Sequence, residues 1–542
     1  MFALHRRPFL LVVLLGAGLA GGCARRETAV DAGLRSQTLH LALEAEPRDL
    51  DPQVQVAFSD MHVSLALFEG LAAVDEATSQ PVPAAAERWE VSEDGRTWTF
   101  RLRPGLAWSD GTPLTAGDFA FSLRRALSPS QAFEYAYVLF SLAGAEDFNA
   151  GRDRTGAALG IAAPDAQTLV LTLAEPNPAL PAILALPIAF PVPRHVLEPL
   201  EVEGRARQWT RAGTLVGNGP FRLAEWTPNQ RIVVERNTHF RTAGETRLQA
   251  IVFYPYESAP AQEAAFRAGQ IHLTTGVPLA RIATYRRERP AQLREDPFLS
   301  TGFLRFNTTR PPFRDPRVRR AFALAIDREA LVRHVLLGGL PASTLTPPNT
   351  GGYTAQAGIA HDPAGARALL AEAGYPDGRG FPPIAVMTFT SEVNQRLLEA
   401  LQQQWRSLLG VQVELVLKEQ RVWLDDERQL NYDLSNARWI GDYVDPSTFL
   451  EVFLGAGGNN ATGWSDDDYD AWVHAARAER DPARRQELFQ QAEARLLEAA
   501  PIAPIYHGTS TFLIHPTVRG WTPSLLGFHR FQHVWLEAPP AD

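Results

Sequence analysis

The segment RWIGDYVDP at residues 438–446 places two carboxylates and two aromatic side chains within nine residues. Asp445 precedes Pro446 and a run of apolar residues, so we expect it to cap a short helix that has proline in its first turn. Asp442 has no such structural role, because it lies where a strand-like segment ends and the chain turns. Its carboxylate is therefore free to face a cleft, which makes Asp442 the candidate for ligand binding.

Motifs that would indicate catalysis are absent from the sequence, which contains no G-x-S-x-G, no H-E-x-x-H and no phosphate-binding G-x-x-x-x-G-K. The acidic run 466–468 lacks the glycine and distal glutamate of a calcium loop, and we interpret it as first-turn charge at a helix start. The histidines show no metal-ligand spacing; they include His40, His195, His239, His272, His361 and His507. The sequence therefore predicts a protein that is not an enzyme and has no metal site and no cofactor.

The elements around the candidate residue alternate between strands and helices. Trp98, Phe100 and Leu102 fall on one face of an alternating run, as in a half-buried strand. We expect one helix to be capped by Thr115 and another by Asp362, which precedes a proline. Since strands alternate with helices along the chain, the sequence predicts α/β lobes with partly parallel sheets.

The composition is that of a globular protein, with 45% hydrophobic residues, 21% charged residues and a net charge of −9 over 542 residues. These values argue against a disordered or nucleic-acid-binding protein. Residues 1–22 are typical of a signal peptide, because basic residues precede an apolar run too short to span a bilayer. Cys23, the only cysteine, follows at a position that resembles a bacterial lipoprotein cleavage site. We expect Cys23 to carry lipid and to tether the protein to a membrane, in the periplasm or at the cell surface.

Several long blocks of the chain have a distinctive sequence, among them AAERWEVSEDGRTWTFRLRPGLAWSDGTPLTAGDFAFSLRRALSP and FRDPRVRRAFALAIDREALV. These blocks resemble the oligopeptide-binding family, the extracytoplasmic solute-binding proteins (family 5) of ABC importers. The resemblance covers the mature chain in order, through residues 85–129, 216–237, 313–332, 362–378, 441–450 and 501–513.

The resemblance implies a periplasmic-binding-protein-like fold with two hinged lobes and an inserted domain. Domain I would comprise residues 38–68, 205–297 and 514–542. Domain II would be inserted at 69–204, and domain III would span 298–513. Two chain crossings, near 301–306 and 504–512, would form the hinge about which the lobes close, and both have the sequence pattern of strands.

The resemblance also implies a function and a set of site residues. A monomeric receptor would bind short peptides in a closing cleft and deliver them to a membrane permease and its ATPase. The aspartate of the family's W-x-x-D-Y pattern binds the peptide amine, and here it corresponds to Asp442, with Trp439 as the aromatic residue. Tyr135 matches a tyrosine that lines the cleft, and Val56 and Phe58 match an extended segment whose backbone pairs with the peptide.

Departures from the family pattern leave the identity of the ligand open. Two positions at which relatives bind the peptide carboxylate with basic side chains here hold Asn436 and Asn394. Arg438 or Arg428 could compensate from nearby positions. Other solutes therefore stay open as alternatives, such as a metal chelate, a cell-wall peptide or a sugar, as does an interaction or chaperone role for an exported lipoprotein.

Overall fold

The computed structural model of the protein describes residues 27–55, 58–455 and 457–538. The predicted signal peptide and the predicted lipidation residue Cys23 lie outside these ranges. Within them, no helix combines the length and the apolar character needed to cross a bilayer.

Strands of the described residues form three larger sheets and two strand pairs. In chain order they are β1 Thr38–Leu43, β2 Ala72–Val74, β3 Pro81–Pro83, β4 Ala86–Val91, β5 Thr97–Leu102, β6 Ile161–Asp165, β7 Thr168–Thr172, β8 Phe221–Thr227, β9 Arg231–Arg236, β10 Ala250–Pro255, β11 Leu293–Phe306, β12 Leu340–Pro341, β13 Ile384–Phe389, β14 Val413–Lys418, β15 Leu434–Ile440, β16 Ile502–Leu513, β17 Val518–Arg519 and β18 Trp535–Leu536. The sheets have the orders β1-β10-β9-β8, β4-β5-β7-β6 and β12-β16-β11-β15-β13-β14, and the pairs are β2-β3 and β17-β18.

Helices are interleaved with these strands along most of the chain. They are α1 Ala29–Ser36, α2 Phe58–Leu67, α3 Ala116–Ala126, α4 Ala145–Asn149, α5 Leu180–Ile183, α6 Arg194–Val202, α7 Ala259–Arg267, α8 Leu279–Glu288, α9 Pro316–Leu324, α10 Arg328–Leu331, α11 Pro363–Glu372, α12 Glu392–Leu409, α13 Gln420–Arg428, α14 Ser447–Leu450, α15 Asp467–Ala478 and α16 Pro482–Ala499. Parallel pairing of β1 with β10, and of β13 with β14 and β15, coexists with antiparallel pairs. The predicted α/β class with partly parallel sheets is therefore confirmed.

Local sequence signals explain where these elements begin. Trp98, Phe100 and Leu102 are all buried on one face of β5, as their alternation predicts. Thr115 and Asp118 form a reciprocal capping box at the start of α3, and the Asp362 carboxylate accepts the Gly365 N–H at the start of α11. Asp466 likewise caps α15, which confirms that the acidic run belongs to a helix N-terminus.

Two long strands, β11 and β16, run antiparallel to each other through the largest sheet. Their register is regular from Leu293 to Pro297, shifts before Thr301, and shifts again between Gly302 and Phe303. The prediction that both crossing segments are strands is confirmed. The division into three domains, with this strand pair as the hinge, stays a prediction. The irregular register falls at the boundary predicted between residues 297 and 298.

Candidate functional site

The end of β15 delivers Asp442 to its position through a close approach of two backbones. The N–H of Gly441 donates to the carbonyl of Leu299 on β11, at 2.8 Å. A Cβ atom at position 441 would lie 2.7 Å from Leu299 Cδ2, so only glycine fits there without displacement of the neighbour. The chain leaves the sheet immediately afterwards, which places Asp442 beyond the strand end.

The loop that carries Asp442 is fixed by Thr448. The Trp439 indole N–H donates to the Thr448 carbonyl at 2.7 Å, and the Asp442 backbone N–H donates to Thr448 Oγ1 at 3.0 Å. Two hydrogen bonds to one residue hold the strand end and the carboxylate in a set orientation. Trp439 therefore positions Asp442 in this structure, whereas the cavity described next is lined by other residues.

Asp442 lines a cavity of about 310 Å³. The wall is mostly apolar, and its members are Gln55, Met61, Tyr135, Leu186, Pro187, Ile188, Ile440, Gly441, Leu526 and Phe528. These residues come from segments far apart in the chain, which is the usual arrangement of a binding cleft. Tyr135 thus lies on the same cavity as Asp442, as the sequence predicts.

The charge of Asp442 has no cationic partner among the described residues. Burial raises the pKa of its carboxyl above the ordinary value, and a hydrogen bond from the Tyr137 hydroxyl, at 3.0 Å, acts in the opposite direction. The raised pKa shows that desolvation outweighs this hydrogen bond. Asp442 therefore offers a partly desolvated negative charge that the described part of the chain leaves uncompensated.

Asp445, three residues further on, is fully engaged in the structure. Its carboxylate accepts the Ser447 N–H at 3.0 Å at the start of α14, but the helix N-cap is Pro446, so the helix begins one residue later than predicted. It also forms two bonds with the Arg485 guanidinium, at 2.6 and 2.8 Å. The two aspartates of the motif thus have different partners, and only Asp442 is available to a ligand.

The segment at Val56 and Phe58 differs from the prediction. Val56 lies outside the described residues, and the side chain of Phe58 does as well. The backbone of Phe58 begins helix α2, so the predicted extended conformation is wrong at this residue. The physical reason lies in the residues that follow. Val63, Ala66 and Leu67 are buried at helical spacing, and their burial favours a helix in this segment.

The four polar residues considered for a ligand carboxylate occupy different surroundings. Asn436 is buried, and its side-chain amide donates to Thr388 Oγ1 at 3.3 Å. Asn394 is half-buried in the first turn of α12. Arg428 is exposed at the end of α13, 3.7 Å from Asp425. Arg438 is exposed on β15, and its guanidinium lies 5.8 Å from the centre of the Phe298 ring.

Two residues that touch Asp442 were not predicted from the sequence. Tyr137 contacts the carboxylate across 305 residues of chain, from a 3₁₀ turn that also contains Tyr135. Thr448 binds the loop from the first helical turn after it. The sequence held a weak signal for Tyr137, because it lies two positions from Tyr135, which the resemblance assigns to the cleft. In the structure the two rings stack at 5.8 Å.

Comparison with known proteins identifies the family. Residues 80–461 match the model described as bacterial extracellular solute-binding proteins, family 5 middle. The chain belongs to this family. Over 489 residues it is 35% identical to the probable deoxycholate-binding periplasmic protein YgiS of Escherichia coli, which covers 88% of this chain and 89% of the relative. The Escherichia coli periplasmic oligopeptide-binding protein OppA is 32% identical over 535 residues, covering 96% and 97%.

Solved structures of the family confirm the fold. The unliganded open form of the periplasmic murein tripeptide binding protein MppA superposes with a TM-score of 0.85 at 33% identity, covering 92% of this chain and 97% of that one. The periplasmic-binding-protein-like fold predicted from the sequence is therefore confirmed. As a family 5 protein, the chain is an extracytoplasmic solute receptor. The two relatives above are likewise described as binding proteins of the periplasm.

Proposed function

We propose that this receptor captures short peptides by their free amine and delivers them to an ABC permease. The observation that carries the proposal is the state of Asp442, a desolvated carboxylate on an apolar cavity with no internal cation among the described residues. A peptide ammonium supplies the missing charge. Because every free peptide has one such group, the ion pair fixes the end of the ligand without reading its sequence.

The wider role follows the family. We propose that the protein is not an enzyme and works as a monomer outside the cytoplasmic membrane, tethered by lipid on Cys23, and that it passes its solute to the permease and ATPase. The support is the signal-like residues 1–22, the single cysteine after them and the periplasmic location in the names of the relatives. Replacement of Cys23 by alanine should release the protein from membranes, and continued sedimentation with the membrane fraction would contradict the tether.

The amine role is tested by calorimetry with a peptide panel and its N-acetylated counterparts. Acetylation removes the positive charge, so each acetylated peptide should bind at least about 100-fold more weakly than its free form, since breaking a buried ion pair costs ~3–5 kcal/mol. Equal affinity for both sets would exclude the amine role of Asp442. The same panel should include a murein tripeptide, because the solved structure that superposes with a TM-score of 0.85 is that of a murein tripeptide binding protein.

Deoxycholate provides a discriminating ligand, because one relative is named for it. This steroid has a carboxylate and no amine, so its charge would be repelled by Asp442 if it lay in the cavity of about 310 Å³. We therefore expect peptides to bind more tightly than deoxycholate. The opposite order would overturn the peptide proposal and favour an amphipathic acid as the solute.

A further inference from the structure

A second cavity, of about 360 Å³, adjoins the cavity of Asp442. The two share Ile440 as a wall, and consecutive residues of one segment line both, Phe528 on the first cavity and His529 on the second. The second cavity is lined by the aromatic rings of Phe298 and Trp521 and by polar side chains of further residues. A ligand that begins at Asp442 can therefore continue past Ile440 into this space.

Arg438 enters the second cavity from the same face of β15 that leads to Asp442. Side chains alternate along a strand, so Asn436, Arg438 and Ile440 share one face. The Arg438 side chain is exposed, and within the described residues its guanidinium makes no hydrogen bond or ion pair. Its contact is with the Phe298 ring, at 5.8 Å. This arginine differs from Arg485 and Arg305, whose guanidinium groups are both paired with buried carboxylates.

The other charged group of the cavity does not neutralise Arg438. Glu44 lines the same space from the end of β1, but it forms no ion pair with Arg438. Burial alone raises the pKa of Glu44, with no opposing effect from a cation. Burial also lowers the pKa of His62, another lining residue, to about 4, so this ring is neutral at pH 7. Among the described residues, Arg438 and Glu44 are thus two charged groups of one cavity that do not pair with each other.

We propose that Arg438 binds the carboxylate of the ligand. The inference rests on the proposed function, since it assumes that the peptide amine is on Asp442. The two residues are four positions apart, and a strand rises roughly 3.3 Å per residue, so their Cα atoms are at most about 13 Å apart. An extended peptide has the same rise, so a short peptide can reach both side chains. The planar guanidinium suits a carboxylate because it donates two parallel hydrogen bonds.

Calorimetry with matched peptides tests the proposal. Each peptide of two to six residues is prepared as the free acid and as the C-terminal amide, and both are titrated into the wild type, Arg438→Gln and Arg428→Gln. Arg428 is the matched control because it is exposed and lies beside Asp425 on a different element. We expect amidation to weaken binding to the wild type and to Arg428→Gln by about tenfold or more, as for hydrogen bonds to charged groups. Arg438→Gln should bind acid and amide equally.

The length series provides an independent readout. The amide effect in the wild type should vary with peptide length, because only some lengths place both ends on the two side chains, whereas Arg438→Gln should show no amide effect at any length. Arg438→Lys keeps the positive charge but lacks the planar guanidinium, so amidation should weaken its peptide binding less than that of the wild type. The melting curve of each variant controls for folding. If acetylation weakens binding to the wild type but amidation does not, the role of Arg438 is overturned while the proposed function stands. If neither modification matters, the proposed function fails as well.

Discussion

Asp442 and Asp445 are three residues apart, yet their carboxylates have different partners in the structure. Asp445 is buried and shares its carboxylate between the Ser447 N–H and the Arg485 guanidinium. Asp442 lies on a cavity, where its side chain accepts a hydrogen bond from the neutral Tyr137 hydroxyl. Burial therefore has a different result at each site, since an ion pair offsets desolvation at Asp445 and nothing cationic within the described residues does so at Asp442.

The comparison separates stability from binding. A buried charge with a partner is costly to disturb, because removal of one member leaves the other unpaired in a poor solvent for ions. A partly buried charge without a partner lowers the stability of the free protein and is compensated when a ligand supplies the opposite charge. The two aspartates should therefore respond differently to the same substitution.

Substitution of Asp445 by asparagine should have the largest effect on stability. It leaves Arg485 buried without its counter-charge, and we expect a loss of about 3–5 kcal/mol in the free energy of unfolding. Chemical denaturation measures the loss. Asp425→Asn is the matched control, because its partner Arg428 is exposed at the surface and such pairs contribute little. Equal stability of the two variants would contradict the difference drawn between buried and exposed pairs.

Substitution of Asp442 by asparagine should reverse this pattern. Peptide affinity should fall at least about 100-fold, as expected when a buried pair of ~3–5 kcal/mol is lost. The ligand-free protein should become more stable, because the raised pKa of Asp442 shows that its ionised form is disfavoured by folding. Calorimetry and denaturation of the same sample check both results. A variant that loses stability together with binding would indicate a structural role for Asp442.

The pH dependence sharpens the comparison. Because the folded-state pKa of Asp442 is raised, the unfolded chain ionises first as pH rises, so this residue lowers the ligand-free stability from its unfolded pKa upward through its folded pKa. Peptide binding needs the ionised form, so affinity should begin to fall as pH decreases through the raised folded-state pKa. Titrations in a pH series on the wild type and on Asp442→Asn check this. The prediction fails if the variant keeps the wild-type dependence on pH.

Removal of the Tyr137 hydroxyl should have the smallest effect of the four. In Tyr137→Phe, the Asp442 carboxylate loses the hydrogen bond from the Tyr137 hydroxyl. Peptide affinity should fall by about tenfold, the usual range for a hydrogen bond to a charged group. Tyr135→Phe is the matched control, since Tyr135 lines the same cavity while the hydroxyl on Asp442 belongs to Tyr137. Calorimetry with one peptide compares the two, and equal losses in both variants would argue against a specific role for Tyr137.

Much of the fold follows from local patterns in the sequence. The alternation in β5, the Thr115 cap of α3 and the Asp362 cap of α11 each depend on residues a few positions apart, so the sequence shows them directly. The hydrogen bond from the Ser447 N–H to the Asp445 carboxylate is of the same kind. The structural role of Asp445 was therefore predictable, and the availability of Asp442 followed by elimination.

The remainder of the site depends on contacts that no local pattern encodes. The Tyr137 hydroxyl reaches Asp442 from 305 residues away, and Arg485 reaches Asp445 from 40 residues away. Phe58 shows the opposite failure, because a resemblance predicted an extended backbone where local helical spacing produces a helix. The contacts of Trp439 and Arg438 likewise depend on the three-dimensional structure, since the sequence does not show which way a side chain points.

The paired strands β11 and β16 have a consequence for selectivity. Because the two crossings are hydrogen-bonded to each other on either side of the irregular register, neither can bend without the other. With this strand pair as the predicted hinge, we expect the lobes to rotate about a single axis rather than to slide or twist independently. A molecule that contacts one lobe alone binds the open and closed arrangements of the lobes with the same affinity, so it does not shift their populations. Only a molecule long enough to contact both lobes binds the rotated arrangement more tightly, so the length of the ligand is the first requirement and its chemical groups are the second.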